Sequence, residues 1–363
     1  MANKKRLNIQ LAALNPYIES NFVENVCKEI QGKDFISWGE NNKYPEFLYD
    51  LYNSCTTLQS VINGTADYVI GDEVICNVPR FSKTVNKAGD TIKDLLERLA
   101  ADILIFGGCA IQVLRDYNGN ISELYWVDFS KLRSDKKNEV FFYSEDWNKS
   151  YGRVKYLTYP KFAENDSNPS SIFYYKGNKT RETYPVPTYN AAIKACMVQA
   201  KIDEFHLNEL SNNFLSSKII NFNNGQVDDE LRNEIEKNLN EKFSGAENGG
   251  RILLSFNDNA DAATTVTDLG SDDFADRYDA LAKRTQYQIF TAFRAVPALF
   301  GLPLENSGFS SQEYEEAFKL YNRCTVRSIQ HSLVDMFDKI LGMEASITIK
   351  PFSLENNIEK EVE

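Results

Sequence analysis

The chain has 363 residues, of which 42% are hydrophobic, 12% aromatic and 25% charged. That balance excludes a mainly disordered chain and gives enough length for two or three compact parts. The formal net charge of −12 at pH 7 argues against a protein that grips nucleic acid, because affinity for phosphate comes mostly from Lys and Arg. No apolar stretch approaches the roughly 20 residues of a membrane span, so a soluble protein with no membrane partner is expected. The six cysteines, Cys27, Cys55, Cys76, Cys109, Cys196 and Cys324, are scattered without close pairing, which points to buried free thiols and away from a disulfide framework or zinc ribbon.

Residues 1–37 read as a polar, loosely specified arm. Pro45 can occupy a first helical turn, and Phe47, Leu51, Cys55, Leu58, Ile62 and Val69 then form one buried helical stripe that Gly71 stops. A second helix is expected over 91–106, capped by Thr91 with Asp94 and ended by Gly107-Gly108. Beyond it the period changes to two. Ala110–Leu114 and Ile121–Trp126 flank Tyr117-Asn118-Gly119-Asn120, which reads as a hairpin, and residues 110 to about 185 read as mostly strand. This first domain is α+β.

After Pro185-Val186-Pro187 a long helix is expected from Tyr189 to Phe214, followed by a strand at Lys218–Phe222, a helix from Asp228 to Phe243 and a strand at Arg251–Phe256. Ser271-Asp272-Asp273 signals a further helix start, with Phe274, Tyr278, Leu281, Ile289, Phe293 and Val296 on one face and Pro297 ending or kinking it. Gly301-Leu302-Pro303 forces an irregular stretch. Ser310-Ser311-Gln312-Glu313 then opens the longest helix, striped by Tyr314, Phe318, Tyr321, Leu333, Phe337 and Leu341 and closed by Gly342. A final strand, Ser346–Lys350, precedes an acidic tail.

Catalytic chemistry is sparse. The only histidines, His206 and His331, sit in expected helices, where packing or surface roles are the ordinary outcome. Ser244–Gly250 lacks the lysine and preceding strand of a phosphate loop. Asp272, Asp273, Asp276 and Asp279 could hold a divalent cation for a nuclease, but acidic first turns also answer the helix dipole, and the dipole reading is preferred. No catalytic residue, metal site or cofactor is assigned. Glu234, Lys237, Glu241 and Lys242 read as a solvated helix face that could also serve as a docking surface.

The order of these elements resembles the portal family of tailed bacteriophages. Asn41-Asn42-Lys43-Tyr44-Pro45 looks like the start of the family's wing, Ser244-Gly245 with Asn248–Leu254 like its clip, and Ala292–Leu302 like the segment before its tunnel loop. The resemblance implies an α+β portal fold: an α+β wing at 1–187 with its arm at 1–37, stem helices at 188–213 and 271–300 flanking a small α/β clip at 214–270, a tunnel loop at 301–311, a long spine helix at 312–342, and a minimal crown or tail at 343–363. It further implies a homo-oligomeric ring of twelve copies in the family, at the capsid vertex of the virion and in the host cytoplasm during assembly. The implied partners are double-stranded DNA in transit, the terminase large subunit, a head-tail connector or adaptor, and the major capsid and scaffolding proteins. Leu304, Glu305, Asn306, Ser307, Gly308 and Phe309 would face DNA, Pro297, Gly301 and Pro303 would form the stem-to-loop break, and the 234–242 face would dock partners. Another phage head or neck component is the alternative reading, and a carboxylate-dependent metal nuclease the remote one.

Overall fold

In a computed structural model of the protein the described residues are 22–30, 32–147, 155–177, 182–211, 218–222, 252–256, 265–268, 274–302 and 311–353. Two compact units divide the chain: Asn21–Met197 together with Thr285–Glu363, and Val198–Arg284.

The larger unit begins with more order than a loose arm. Strand β1 (Lys28–Glu29) pairs antiparallel with β2 (Ile36–Ser37), and Phe35, Ile36 and Trp38 are buried, so the arm expected over 1–37 is structured at least from its later residues. Apolar side chains next to a turn cannot stay in water at that density. Asn41 and Asn42 both take left-handed backbone, φ 53° and 62°, a conformation that asparagine tolerates better than most residues.

The expected helix from Pro45 to Gly71 is instead two helices, α1 (Tyr44–Ser54) and α2 (Thr56–Ile70), separated by extended backbone at Cys55 with φ −110° and ψ 104°. The break bends the helix so that both halves bury their stripes, Leu48 and Leu51 on one side and Leu58, Val61 and Ile62 on the other. Helix α3 (Ile92–Phe106) has the expected ends. Thr91 and Asp94 form a reciprocal capping box, and Gly107 closes the helix at φ 84°, where a β-carbon would lie 2.4 Å from the Val186 carbonyl oxygen.

Strands β4 (Gly108–Arg115), β5 (Ile121–Trp126), β6 (Leu132–Ser134), β7 (Val140–Tyr143), β8 (Leu157–Pro160) and β9 (Ser170–Lys176) make two antiparallel sheets, ordered β5–β4–β9 and β6–β7–β8. The β4–β5 turn is the expected one. The Asp116 carboxylate accepts from the Asn118 and Asn120 amides, both at 2.9 Å, and Gly119 supplies the positive φ.

Helix α4 (Ile193–Ser211) starts after a short 3-10 turn at Asn190–Ala192, four residues later than the sequence suggests. In the smaller unit, strand β10 (Lys218–Phe222) lies between β11 (Ile252–Phe256), parallel to it, and β12 (Thr265–Asp268), antiparallel. The third strand was not anticipated. A parallel pair needs a crossover connection, and the helix expected at 228–243 falls in that interval, outside the described residues. Helix α5 (Phe274–Phe293) follows, and Phe205 of α4 stacks on its Tyr278 with ring centres 4.8 Å apart.

Past the following elbow the expected longest helix is present but not uniform. Helix α6 (Ser311–Tyr321) joins α7 (Arg327–Leu341) through a π-turn at Asn322–Val326. Gly342 closes α7 at φ 63°, as expected. Strand β13 (Ile347–Lys350) then pairs antiparallel with β3 (Glu73–Cys76), tying the C-terminal segment to the end of α2. None of the six cysteines forms a disulfide, and three are buried: Cys55, Cys109 and Cys196. Cys27 and Cys76 are half-buried and Cys324, on the π-turn, is exposed, which corrects the expectation that all would be enclosed.

Candidate functional site

The segment singled out by the sequence, Ala292–Leu302, is an elbow made of two successive helix closures. Helix α5 ends at Phe293, four residues before the proline expected to end it. Arg294 takes φ 55°, its amide donates to the Thr291 carbonyl at 3.1 Å, and the Ala295 amide donates to the Phe290 carbonyl at 2.9 Å. Those two bonds are the Schellman closure, with arginine in the position that usually belongs to glycine. Val296 is extended because the ring of Pro297 disfavours helical backbone before it. Pro297 therefore starts an element rather than ending one: a 3-10 turn over Pro297–Phe300, closed by Gly301 at φ 80° with the Leu302 amide donating to the Pro297 carbonyl at 3.2 Å.

The elbow is fastened to α2. Phe300 fits over Gly64, where an added β-carbon would stand 2.9 Å from two ring atoms, and its ring also meets Phe290 and Tyr321, both at 5.8 Å, and Tyr68 at 6.2 Å. Tyr68 donates its hydroxyl to the Leu299 carbonyl at 3.0 Å. Helix α6 is fastened to the same face of that helix: Phe318 stands 5.5 Å from Tyr68, and the Tyr321 hydroxyl lies 2.7 Å from the Thr65 hydroxyl. Burial pushes the Tyr321 phenol up to about 12 and, with the neighbouring Tyr314 hydroxyl, raises Tyr68 well above its ordinary value, so both stay protonated donors at any physiological pH. The two ends that border residues 303–310 are thus gripped by one face of α2.

Sequence reasoning named Pro297 and Gly301 but missed Gly64, Tyr68 and Arg294. Gly64 was the available signal, since a glycine inside a helix costs about 1 kcal/mol against alanine and calls for a packing reason. Pro303, the loop residues Leu304, Glu305, Asn306, Ser307, Gly308 and Phe309, and the proposed docking face Glu234, Lys237, Glu241 and Lys242 lie outside the described residues. So do Asp272 and Asp273 of the acidic cluster, while Asp279 is exposed on α5.

The other matched motif, Asn41–Pro45, has a structural explanation. The Asn42 side-chain oxygen accepts from the Trp38 amide at 2.9 Å and from Nε of Arg133 at 2.5 Å, and the Asn42 carbonyl accepts from Nη2 of Arg133 at 2.8 Å. Arg133 is fully buried. Its other guanidinium nitrogen reaches the Ser130 and Leu132 carbonyls, and its head lies 5.0 Å from the Trp147 ring centre and 5.9 Å from that of Trp38. A buried cation held by carbonyls and aromatic faces stays in place because every alternative leaves it unsolvated.

Solved structures define the class of fold. One is an HK97 family phage portal protein from Corynebacterium diphtheriae, with TM-score 0.54 at 11% identity, covering 84% of this chain and 94% of that one. Another is the neck of a native gene transfer agent (GTA) particle computed with C12 symmetry, with TM-score 0.53 at 18% identity, covering 86% and 85%. The neck of the empty GTA particle, computed with C6 symmetry, gives 0.54 at 17% identity over 86% of each chain. These likenesses show a shared mixed α+β fold. The family follows from the sequence itself: the model of the phage portal protein family matches residues 83–355, and the chain belongs to that family of structural proteins. No curated protein matches it.

Proposed function

We propose that this portal-family chain assembles head to tail into the closed ring of a capsid vertex, through which double-stranded DNA is packaged and ejected, and that it performs no catalytic step. The observation that carries this reading is the anchored elbow: Phe300 over Gly64, Tyr68 on Leu299 and Tyr321 on Thr65 hold both borders of one short segment to a single helix. A segment that meets moving DNA needs such fixed ends. On this reading residues 1–187 are the wing, α4 and α5 the stem, 214–270 the clip, 301–311 the tunnel loop, 312–342 the spine, and 343–363 a minimal crown. Ring symmetry of twelve is supported by the C12 neck that the chain resembles.

The net charge of −12 suits a conduit, because each basic side chain that pairs with phosphate adds salt-dependent retention and a dense basic lining would hold the duplex. The 304–309 segment contains no Lys or Arg, so it would touch DNA by shape rather than by ion pairs. The clip, between the two stem helices in sequence, is the proposed dock for the terminase large subunit and the head-tail connector, with major capsid and scaffolding proteins contacting the wing. Deleting Glu305–Phe309 tests the loop assignment. Rings should still form while DNA packaging or retention falls, and normal packaging in that deletion would remove the loop from the mechanism.

A further inference from the structure

We propose that Phe352 is a positioning residue for the elbow: a wedge from the C-terminal strap that holds the Leu299–Leu302 border and helix α6 at a fixed separation. The strap is placed without help from Phe352. β13 pairs with β3 through four residue pairs, the Asp72 amide donates to the Lys350 carbonyl at 3.1 Å, and the Ser353 amide donates to the Asp72 carboxylate at 3.1 Å. Lys350 pairs with Glu73, and the Asp338 carboxylate on α7 accepts from the Ala345 and Ser346 amides at 3.1 and 2.8 Å. The strap passes so closely over the end of α2 that a β-carbon on Gly71 would come within 2.1 Å of the Lys350 oxygen.

What this rigid strap carries is the Phe352 ring. It meets Tyr68 edge-on at 5.4 Å and Phe318 at 5.9 Å. Tyr68 is the residue whose hydroxyl fixes Leu299, and Phe318 is the anchor of α6, so one ring touches the fastenings of both borders. The edge-on contacts of Phe352 restrict how far Tyr68 and Phe318 can turn. Strap, α2, elbow and α6 then move as one body. The inference depends on the tunnel-loop reading only for its consequence in DNA handling.

The test is hydrogen exchange on the full-length protein with Phe352→Ala, with Phe352→Tyr as the ring-preserving control. Phe352→Ala should speed exchange by roughly fivefold or more in peptides covering both 297–302 and 311–321, with α3, α7 and the β3–β13 pair unchanged, and Phe352→Tyr should restore the original rates. Faster exchange confined to 347–353, faster exchange at one border only, or a rise throughout α3 and α7 would each overturn the proposal. A protein that forms no rings yet shows the expected exchange would count against the portal reading and leave the wedge standing.

Discussion

Asp102 lies on α3 with its carboxyl fully buried, accepting from Trp126 Nε1 at 2.7 Å. Burial is the main cause that raises it well above the ordinary carboxylate range, the Trp126 bond opposes that, and Asp128 adds to it. Because its folded value lies above the unfolded one, its contribution to stability is complete below about pH 4 and is lost as pH rises through the folded value. Asp102→Asn should therefore flatten the dependence of melting temperature on pH above about 4 and raise stability at neutral pH, which thermal melts across that range would check. Arg294 carries a different cost. A non-glycine residue in left-handed backbone is strained by about 1–2 kcal/mol, and glycine gives back part of that relief through its freer unfolded chain, so Arg294→Gly should stabilise by up to about 1 kcal/mol in denaturant unfolding. Tyr68→Phe removes the bond to Leu299 and should cost about 0.5–1.5 kcal/mol.

At the scale of elements the π-turn is a phase correction. Apart from Met336, the residues that face the core run Phe318, Tyr321, Val326, Gln330, Leu333, Phe337, Ile340, and every step in that series is three or four except the five from Tyr321 to Val326. In an unbroken α-helix Tyr321 and Leu333 would diverge by about 120°, and one extra residue in the turn brings them back to about 20°. Deleting Thr325 should consequently leave both stripes in place and change stability by less than about 1 kcal/mol, whereas deleting Asp335 from α7 should unfold the larger unit, since it turns Phe337 and Ile340 about 100° away from the face that Leu333 occupies and out of their pockets at about 2–5 kcal/mol each. Circular dichroism melts of the two deletions would separate these outcomes. The jump in spacing is present in the sequence, but the stripe expected there runs on to Leu341, whereas in the structure it is Ile340 that is buried. Features set by local hydrogen bonding were read correctly: the Thr91–Asp94 box, the Asn118-Gly119 turn and the Gly342 stop. Features set by distant partners were not. The bend at Cys55, the pairing of β13 with β3 and the place of Phe352 depend on residues far along the chain, which no local pattern encodes.

For the whole molecule, the family and the mixed fold agree with the order of elements read from the sequence, and the most specific motif, Ala292–Leu302, proves to be a built structure with two closures and three fastenings. On the proposed reading, its fixed borders would suit a loop that meets DNA, and the acidic balance of the chain would favour passage over retention. The most direct measurement is negative-stain microscopy of the purified full-length protein across a concentration series. Closed rings with a central hole, built from identical subunits, are the expected result, and a uniformly monomeric particle at high concentration would contradict the account.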